Sequence, residues 1–275
     1  MGSDLRQPGA VAYVYAFERE TGAVRWRAPV GSGAATDLSL SGSSLYAVTL
    51  ADEILALDVE TGRRLWTFST GATNEGFLLT ASPAVASRRV FFGGLDGILY
   101  ALEAASGRLI WKKPLGGRIS AGVAVGDGSI YAGTSGSRLY RVLPETGEIG
   151  ASIETEGSPN GRLAVAGGCV LSFLGNRELA CFTPALDRAL WTRTGAHPWS
   201  SSRPYVARGV ALAGNEEGEL VALRLIDGEA VWSEMVGGTI RGVGLTEEGL
   251  YVGTLKGEVH ARPWPRAEAP ALRQP

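Results

Sequence analysis

Apolar residues in this chain come in short runs that alternate with polar ones and are cut by Gly, Asp and Asn. SPAVAS from Ser82 is followed by a turn and then VFFGG from Val90. The polar Leu95-Asp96-Gly97 leads to ILYAL from Ile98, and Ser106-Gly107 leads to RLIW, which ends at Trp111. Runs this short, rich in Val, Ile, Leu, Tyr and Phe and bounded by turn formers, carry the period-2 signal of hairpins and are too short for amphipathic helices. The pattern predicts four strands joined by three turns.

The same order of signals recurs. Gly22, Gly62, Gly107, Gly147, Asp187 and Gly228 occupy one position, at steps of 40, 45, 40, 40 and 41 residues. A fixed period of this size with four antiparallel strands per unit is the plan of a β-propeller blade. Leucine-rich repeats have periods of about 20 to 29 residues and helical repeats show amphipathic helices, neither of which is visible here, and a sandwich does not repeat its own sequence. The expected fold is therefore all-β, a single β-propeller domain over residues 1–275. Its repeats run from about residue 11 to about residue 264, and residues 265–275 form a tail. Five complete units run from about Ala35 to about Met235. A sixth, starting near Ile240, contains RGVGL, LYVGT and EVHARPW and stops at Pro263 and Pro265, which cannot continue a ladder. AVRWRAP, Ala23 to Pro29, supplies the missing strand in the expected arrangement: six blades, closed by an N-terminal strand joining the last one. VAYVYAF, Val11 to Phe17, competes for the place of EVHARPW, so seven blades is the alternative.

Within each unit an acidic residue and a Thr-Gly or Ser-Gly precede a tryptophan, as in ALDVETGRRLW from Ala56 to Trp66. Trp26, Trp66, Trp111, Trp191 and Trp232 stand in such phrases and are expected to be structural, each indole lying on the neighbouring blade. AFERETGAVRW, ALDVETGRRLW and ALEAASGRLIW resemble the tryptophan-docking motif of the pyrroloquinoline-quinone-like (PQQ-like) repeat propellers, from about Val11 to about Pro263. Three units depart from it: Ala151 stands for Trp, Asp187 for Gly, and Arg224 for the acid. Propellers of this look include a lipoprotein assisting outer-membrane β-barrel assembly and sensor portions attached to bacterial kinases. The resemblance thus implies a non-enzymatic protein or peptide interaction or sensor module in a bacterium.

The quinone-dependent dehydrogenases of the same family are about twice as long, with eight blades, adjacent cysteines over the cofactor and acidic and amide calcium ligands. This chain has no adjacent cysteines and too few blades, so no PQQ cofactor and no enzymatic activity are expected; the alternative is a small-ligand-binding (anion or quinone) propeller or a degenerate relative of the PQQ-dependent dehydrogenases, using the central channel mouth. GxSxG, HExxH and a Gly-rich loop ending in Lys-Ser or Lys-Thr are all absent. His197 and His260 cannot form a zinc site with the cysteines by spacing. Cys169 and Cys181 flank a turn at Gly175-Asn176. Two small buried hydrophobes are preferred there, although hairpin geometry also permits a cross-strand disulfide.

A net charge of −2 leaves no basic field for nucleic acid. No run reaches the ~18 apolar residues of a membrane span, and the N-terminus lacks the pattern of a signal peptide. A complete chain would on that count be cytoplasmic, whereas the family resemblance implies a periplasmic or extracytoplasmic place. A protein or peptide partner and a monomeric state are expected. Aligning the repeats puts Asp37, Ser82, Gly122, Arg162, Ser202 and Gly242 in one column at the start of the innermost strands, ringing a channel mouth. Asn160 opens a strand two places earlier, Arg118, Arg203 and Arg241 add positive charge, and His197 and Trp199 lie in a nearby connection. An anion or an acidic peptide would suit this mouth. Phe77, Leu78 and Leu79, in the insertion that lengthens one step, are the candidate partner contact.

Overall fold

The computed structural model describes residues 12–31, 38–72, 82–200 and 203–264. Every regular element in them is a strand. β1 (Ala12–Phe17) and β2 (Val24–Gly31) form a two-stranded sheet among the described residues. Five four-strand units follow, each ordered as in sequence. The first is β3 (Ser39–Ser41), β4 (Ser44–Val48), β5 (Glu53–Asp58) and β6 (Arg64–Ser69). The second is β7 (Ala84–Ala86), β8 (Arg89–Gly93), β9 (Ile98–Glu103) and β10 (Leu109–Pro114). β11 (Ile119–Gly126), β12 (Ser129–Thr134), β13 (Arg138–Val142) and β14 (Ile149–Glu154) make the third. β15 (Pro159–Ala166), β16 (Cys169–Leu174), β17 (Glu178–Phe182) and β18 (Ala189–Thr194) make the fourth. The fifth is β19 (Tyr205–Ala207), β20 (Val210–Gly214), β21 (Glu219–Arg224) and β22 (Ala230–Met235). β23 (Ile240–Leu245), β24 (Gly249–Thr254) and β25 (Val259–Pro263) form a last sheet of three.

Pairing within units is antiparallel, and first strands of successive units approach one another: β11 and β15 are joined by one parallel pairing, Gly122 with Arg162. The apolar core lies between sheets rather than inside any one of them. Phe91, Leu99 and Ala101 of the second unit pack on Ile119, Val123, Ile130 and Ala132 of the third. Tyr46, Ile54 and Ala56 of the first pack on Phe92, Tyr100 and Leu102 of the second. Strand alternation explains the arrangement: successive residues of β9 face opposite neighbours, so its apolar run is buried on both sides.

Two expectations are corrected. The N-terminal strand β2 does not join the last sheet, because it completes a hairpin with β1 over Ala12–Gly31. A local hairpin closes a much shorter loop than a pairing between chain ends, and its closure entropy is correspondingly smaller. Cys169 and Cys181, expected as unbridged hydrophobes, form a disulfide with Cα atoms 5.5 Å apart. Leu171 faces Cys181 across β16 and β17, which puts Cys169 on the same face as its diagonal neighbour, within reach of Cys181.

Candidate functional site

The recurrent acid and Thr-Gly build the turn between the third and fourth strands of each unit. The Asp58 carboxylate accepts from the Thr61 backbone N–H at 2.9 Å and the Thr61 hydroxyl at 2.7 Å, which holds its pKa below the ordinary aspartate value. Glu103 is likewise held low by the Ser106 hydroxyl, at 2.5 Å, and then by Arg108. The glycine after them is required twice over. Gly62 and Gly107 have φ of 70° and 71°, and a Cβ there would stand 2.5 Å from Trp26 Cε3 and 2.6 Å from Trp66 Cε3. Trp111 lies in the same way on Gly147, and Trp191 on Gly228. Each indole N–H donates to a carbonyl of the turn it covers: Trp26 to Val59 (2.8 Å), Trp66 to Ala104 (3.0 Å), Trp111 to Pro144 (3.0 Å), Trp191 to Leu225 (2.8 Å). Trp232 packs at the margin of the cluster between the fifth unit and the last sheet.

Ala151 leaves one such position without an indole, and the structure fills the bond from another strand. The Tyr131 hydroxyl donates 2.8 Å to Pro184 O, the carbonyl equivalent to Val59, Ala104, Pro144 and Leu225. In that turn Leu186, with φ 54°, takes the left-handed position, not the aligned Asp187.

At the innermost strands, Val123 N donates 3.0 Å to Ser82 O, and Gly122 sits directly against Arg162, where a Cβ would meet Arg162 Cα at 3.0 Å. The Arg162 guanidinium reaches Ser39 Oγ and Pro83 O, both at 3.4 Å, while Ser39 Oγ itself donates to Pro83 O at 2.5 Å. The first strands of four units are thus tied at one level. Asn160 donates to Gly175 O. Arg118 is half-buried, its C=O accepting from Ser135 N at 2.8 Å. Arg203 lies over the Tyr205 ring at 4.8 Å, and Arg241 is exposed on β23. Asp37, Ser202, Phe77, Leu78 and Leu79 lie outside the described residues. In the Gly195–Trp199 connection His197 is exposed, whereas the Trp199 ring stacks on Phe173 with centroids 6.0 Å apart. His260 lies on β25, its Nε2 3.4 Å from a Glu258 carboxylate oxygen.

A buried acidic site went unnoticed in the sequence. Asp52 has no exposed surface and a φ of 55°. Its carboxylate accepts from Thr70 Oγ1 at 2.6 Å and from Leu95 N of the next unit at 3.1 Å. Burial raises its pKa, the two hydrogen bonds oppose that rise, and the nearby Asp96 adds to it. Asp96 in turn accepts from the Tyr100 hydroxyl at 2.5 Å and from Ile98 N at 3.0 Å. Burial, followed by the Asp96 bond, pushes the Tyr100 phenol up. The signal was in the alignment: Asp52 occupies the turn position held elsewhere by Gly97, Ser137, Gly218 and Gly257. The chemistry on view is that of connectors; among the described residues no three His, Cys, Asp or Glu side chains gather as a metal site would require.

The profile of the family described as "Outer membrane protein assembly factor BamB" matches residues 5–118 and 95–259. The chain belongs to this family. It is a PQQ-like repeat propeller. BamB of Burkholderia pseudomallei (strain K96243) is 26% identical over 254 residues, covering 84% of this chain and 63% of its own. The quinoprotein ethanol dehydrogenase of Pseudomonas aeruginosa is 27% identical over 190 residues, covering 59% of this chain and 30% of its own. The crystal structure of BamB from Moraxella catarrhalis superposes with a TM-score of 0.78 at 21% identity, over 93% of this chain and 82% of that one. The chain spans less than two thirds of the length of the curated relatives it matches.

Proposed function

We propose that this chain is a non-enzymatic interaction module that binds a protein or peptide partner during outer-membrane protein assembly, on the extracytoplasmic side of a bacterial envelope. The observation that carries the reading is the family match over nearly the whole chain, together with relatives named as assembly factors. Stiffness supports it. Indole clasps, the Tyr131 hydroxyl between the third and fourth units, and Arg162 across the innermost strands tie the units together, so loops are presented from a rigid frame, as recognition surfaces require. The partner surface we assign is the face that bears the connection at His197 and, beside it, the exposed Arg177, which donates to Gly195 O and Ala196 O; Phe77, Leu78 and Leu79 are assigned to it from the sequence alone. The channel mouth around Arg162 is its centre, and an acidic peptide segment is the ligand chemistry that fits it.

The test is complementation. Exported into a cell deleted for its own BamB, the chain should raise the level of folded outer-membrane β-barrel proteins. Charge reversal at Arg177 combined with Phe77→Ser should remove that effect while the fold persists. Oxidation of an alcohol by the purified chain on addition of PQQ and calcium, with no effect on barrel assembly, would replace this reading by a catalytic one.

A further inference from the structure

The two sulfurs of the Cys169–Cys181 bridge are shut off from solvent. Cys169 is 1% exposed and Cys181 not at all. Both face the fifth unit, packed among Leu171, Phe173 and Leu179 of their own sheet and Ala211, Ala213 and Leu223 of the next. Trp191 stands directly across from Cys181 on β18 and is itself fixed to the fifth unit, lying on Gly228 and donating to Leu225 O at 2.8 Å. The bridge is thus covered by a docked neighbour and by the clasp that docks it.

Making the bond takes two displacements. One cysteine thiolate attacks a sulfur of an oxidant's own disulfide, giving a mixed disulfide and releasing the oxidant's first thiol. The second cysteine thiolate then attacks the cysteine sulfur of that mixed disulfide, which closes Cys169–Cys181 and releases the oxidant's second thiol. Two electrons and two protons pass from the pair of cysteines to the oxidant, which leaves as a dithiol. The first displacement puts an oxidant sulfur against a cysteine sulfur, and the docked fifth unit leaves no room for it. The partners themselves meet without that cover. They are twelve residues apart on the hairpin of β16 and β17, which closes through local contacts, whereas the cover comes from β20 and β21, further along the chain.

We propose that Cys169 and Cys181 are oxidised while the fourth and fifth units are still apart, by a dithiol–disulfide oxidant acting on a chain that has not finished folding. The chain therefore reaches its oxidising compartment unfolded, since a copy that folded first in reducing surroundings would carry two shielded, inert thiols into it. This order of events stands on burial and is independent of which partner the module binds.

Labelling with a maleimide-linked polymer after denaturation counts the free thiols, and the chain has two cysteines. The chain is reduced, refolded under reductant, checked by circular dichroism and then given oxidised glutathione. In native buffer its thiols are expected to disappear at least ~10³-fold more slowly than in denaturing urea, the lower end of the ratio of folded to unfolded chains in a small stable domain. A smaller factor overturns the proposal. If the reduced chain does not regain its native spectrum, the bridged chain is used instead: dithiothreitol is expected to open the bond more slowly in native buffer by that same factor, and a smaller one overturns the proposal. In a bacterial cell, a copy exported unfolded behind an added leader should carry no free thiol, and a copy kept in the cytoplasm should carry two. An exported copy with both thiols free, or a cytoplasmic copy already bridged, overturns it as well. None of these counts depends on barrel assembly, so their failure is distinct from failure of the interaction reading.

Discussion

Replacing Trp66 by Ala removes one clasp between the first and second units. The indole lies on Gly107, touches Tyr46 at a centroid distance of 5.8 Å and donates 3.0 Å to Ala104 O. An aromatic ring covering on the order of 150 Å² at ~25 cal/mol per Å² contributes ~4 kcal/mol, within the range of measured losses for large aromatic truncations. The lost N–H bond adds about 1 kcal/mol to that. Trp66→Phe, which keeps most of the ring, should therefore cost only ~1–2 kcal/mol. Gly107→Ala attacks the same contact from below: the new methyl would stand 2.6 Å from Trp66 Cε3 on a backbone with φ of 71°. Left-handed backbone alone costs an Ala ~1–2 kcal/mol, and the clash adds to it. Urea unfolding followed by circular dichroism reads all of these as shifts in midpoint at constant slope. The double variant should cost less than the sum of the two singles, because removing the indole relieves the clash. A Trp66→Ala protein within ~0.5 kcal/mol of wild type, the spread of an ordinary surface substitution, refutes the clasp, and so does strict additivity.

Tyr131→Phe should cost ~1–2 kcal/mol because Pro184 O loses the Tyr131 hydroxyl. Tyr46→Phe should be milder, since Trp66 also serves Ala104 O; equal losses in urea titrations would contradict the compensation. Asp52→Asn keeps an acceptor for Leu95 N and tolerates the left-handed backbone. Burial raises the Asp52 pKa, so that group's contribution is full below the unfolded value near ~4 and is lost as pH rises through the folded one. The variant should therefore gain on wild type as pH climbs from ~4 to ~7, and a growing deficit instead would sink the assignment. Asp52→Ala should lose ~1–3 kcal/mol at either pH, because Leu95 N is left without its acceptor. In the Asp58 turn the sign is opposite: its lowered pKa gives stability present above the ordinary carboxylate range and lost as pH falls through the folded value. Thr61→Val should blunt that acid loss, measured as the change in thermal midpoint between neutral and acid buffer.

The repeat was legible because one column of turn glycines and one column of indoles fix both the period and the inter-unit contact. Trp26, Trp66, Trp111 and Trp191 stand at one spacing and lie on the turn glycines of the following unit, and the aligned Ser82, Gly122 and Arg162 stand side by side on neighbouring first strands. What escaped is non-local. The hydroxyl that stands in for the indole missing at Ala151 comes from β12, two strands away from the vacancy, where no motif search looks. Ser39 and Pro83 meet Arg162 only because first strands of distant units converge. The N-terminal strand was assigned to the last sheet from a count of strands, a rule that ignores how cheaply β1 and β2 pair with each other. The disulfide turned on a diagonal approach across β16 and β17, which depends on register.

The interaction reading is tested most directly by exporting the tagged chain into a cell lacking BamB and measuring the folded outer-membrane β-barrel proteins. Recovery of those barrels, lost again with the Arg177 and Phe77 substitutions, is the expected result. Unchanged barrel levels from a well-folded, correctly exported chain would contradict it.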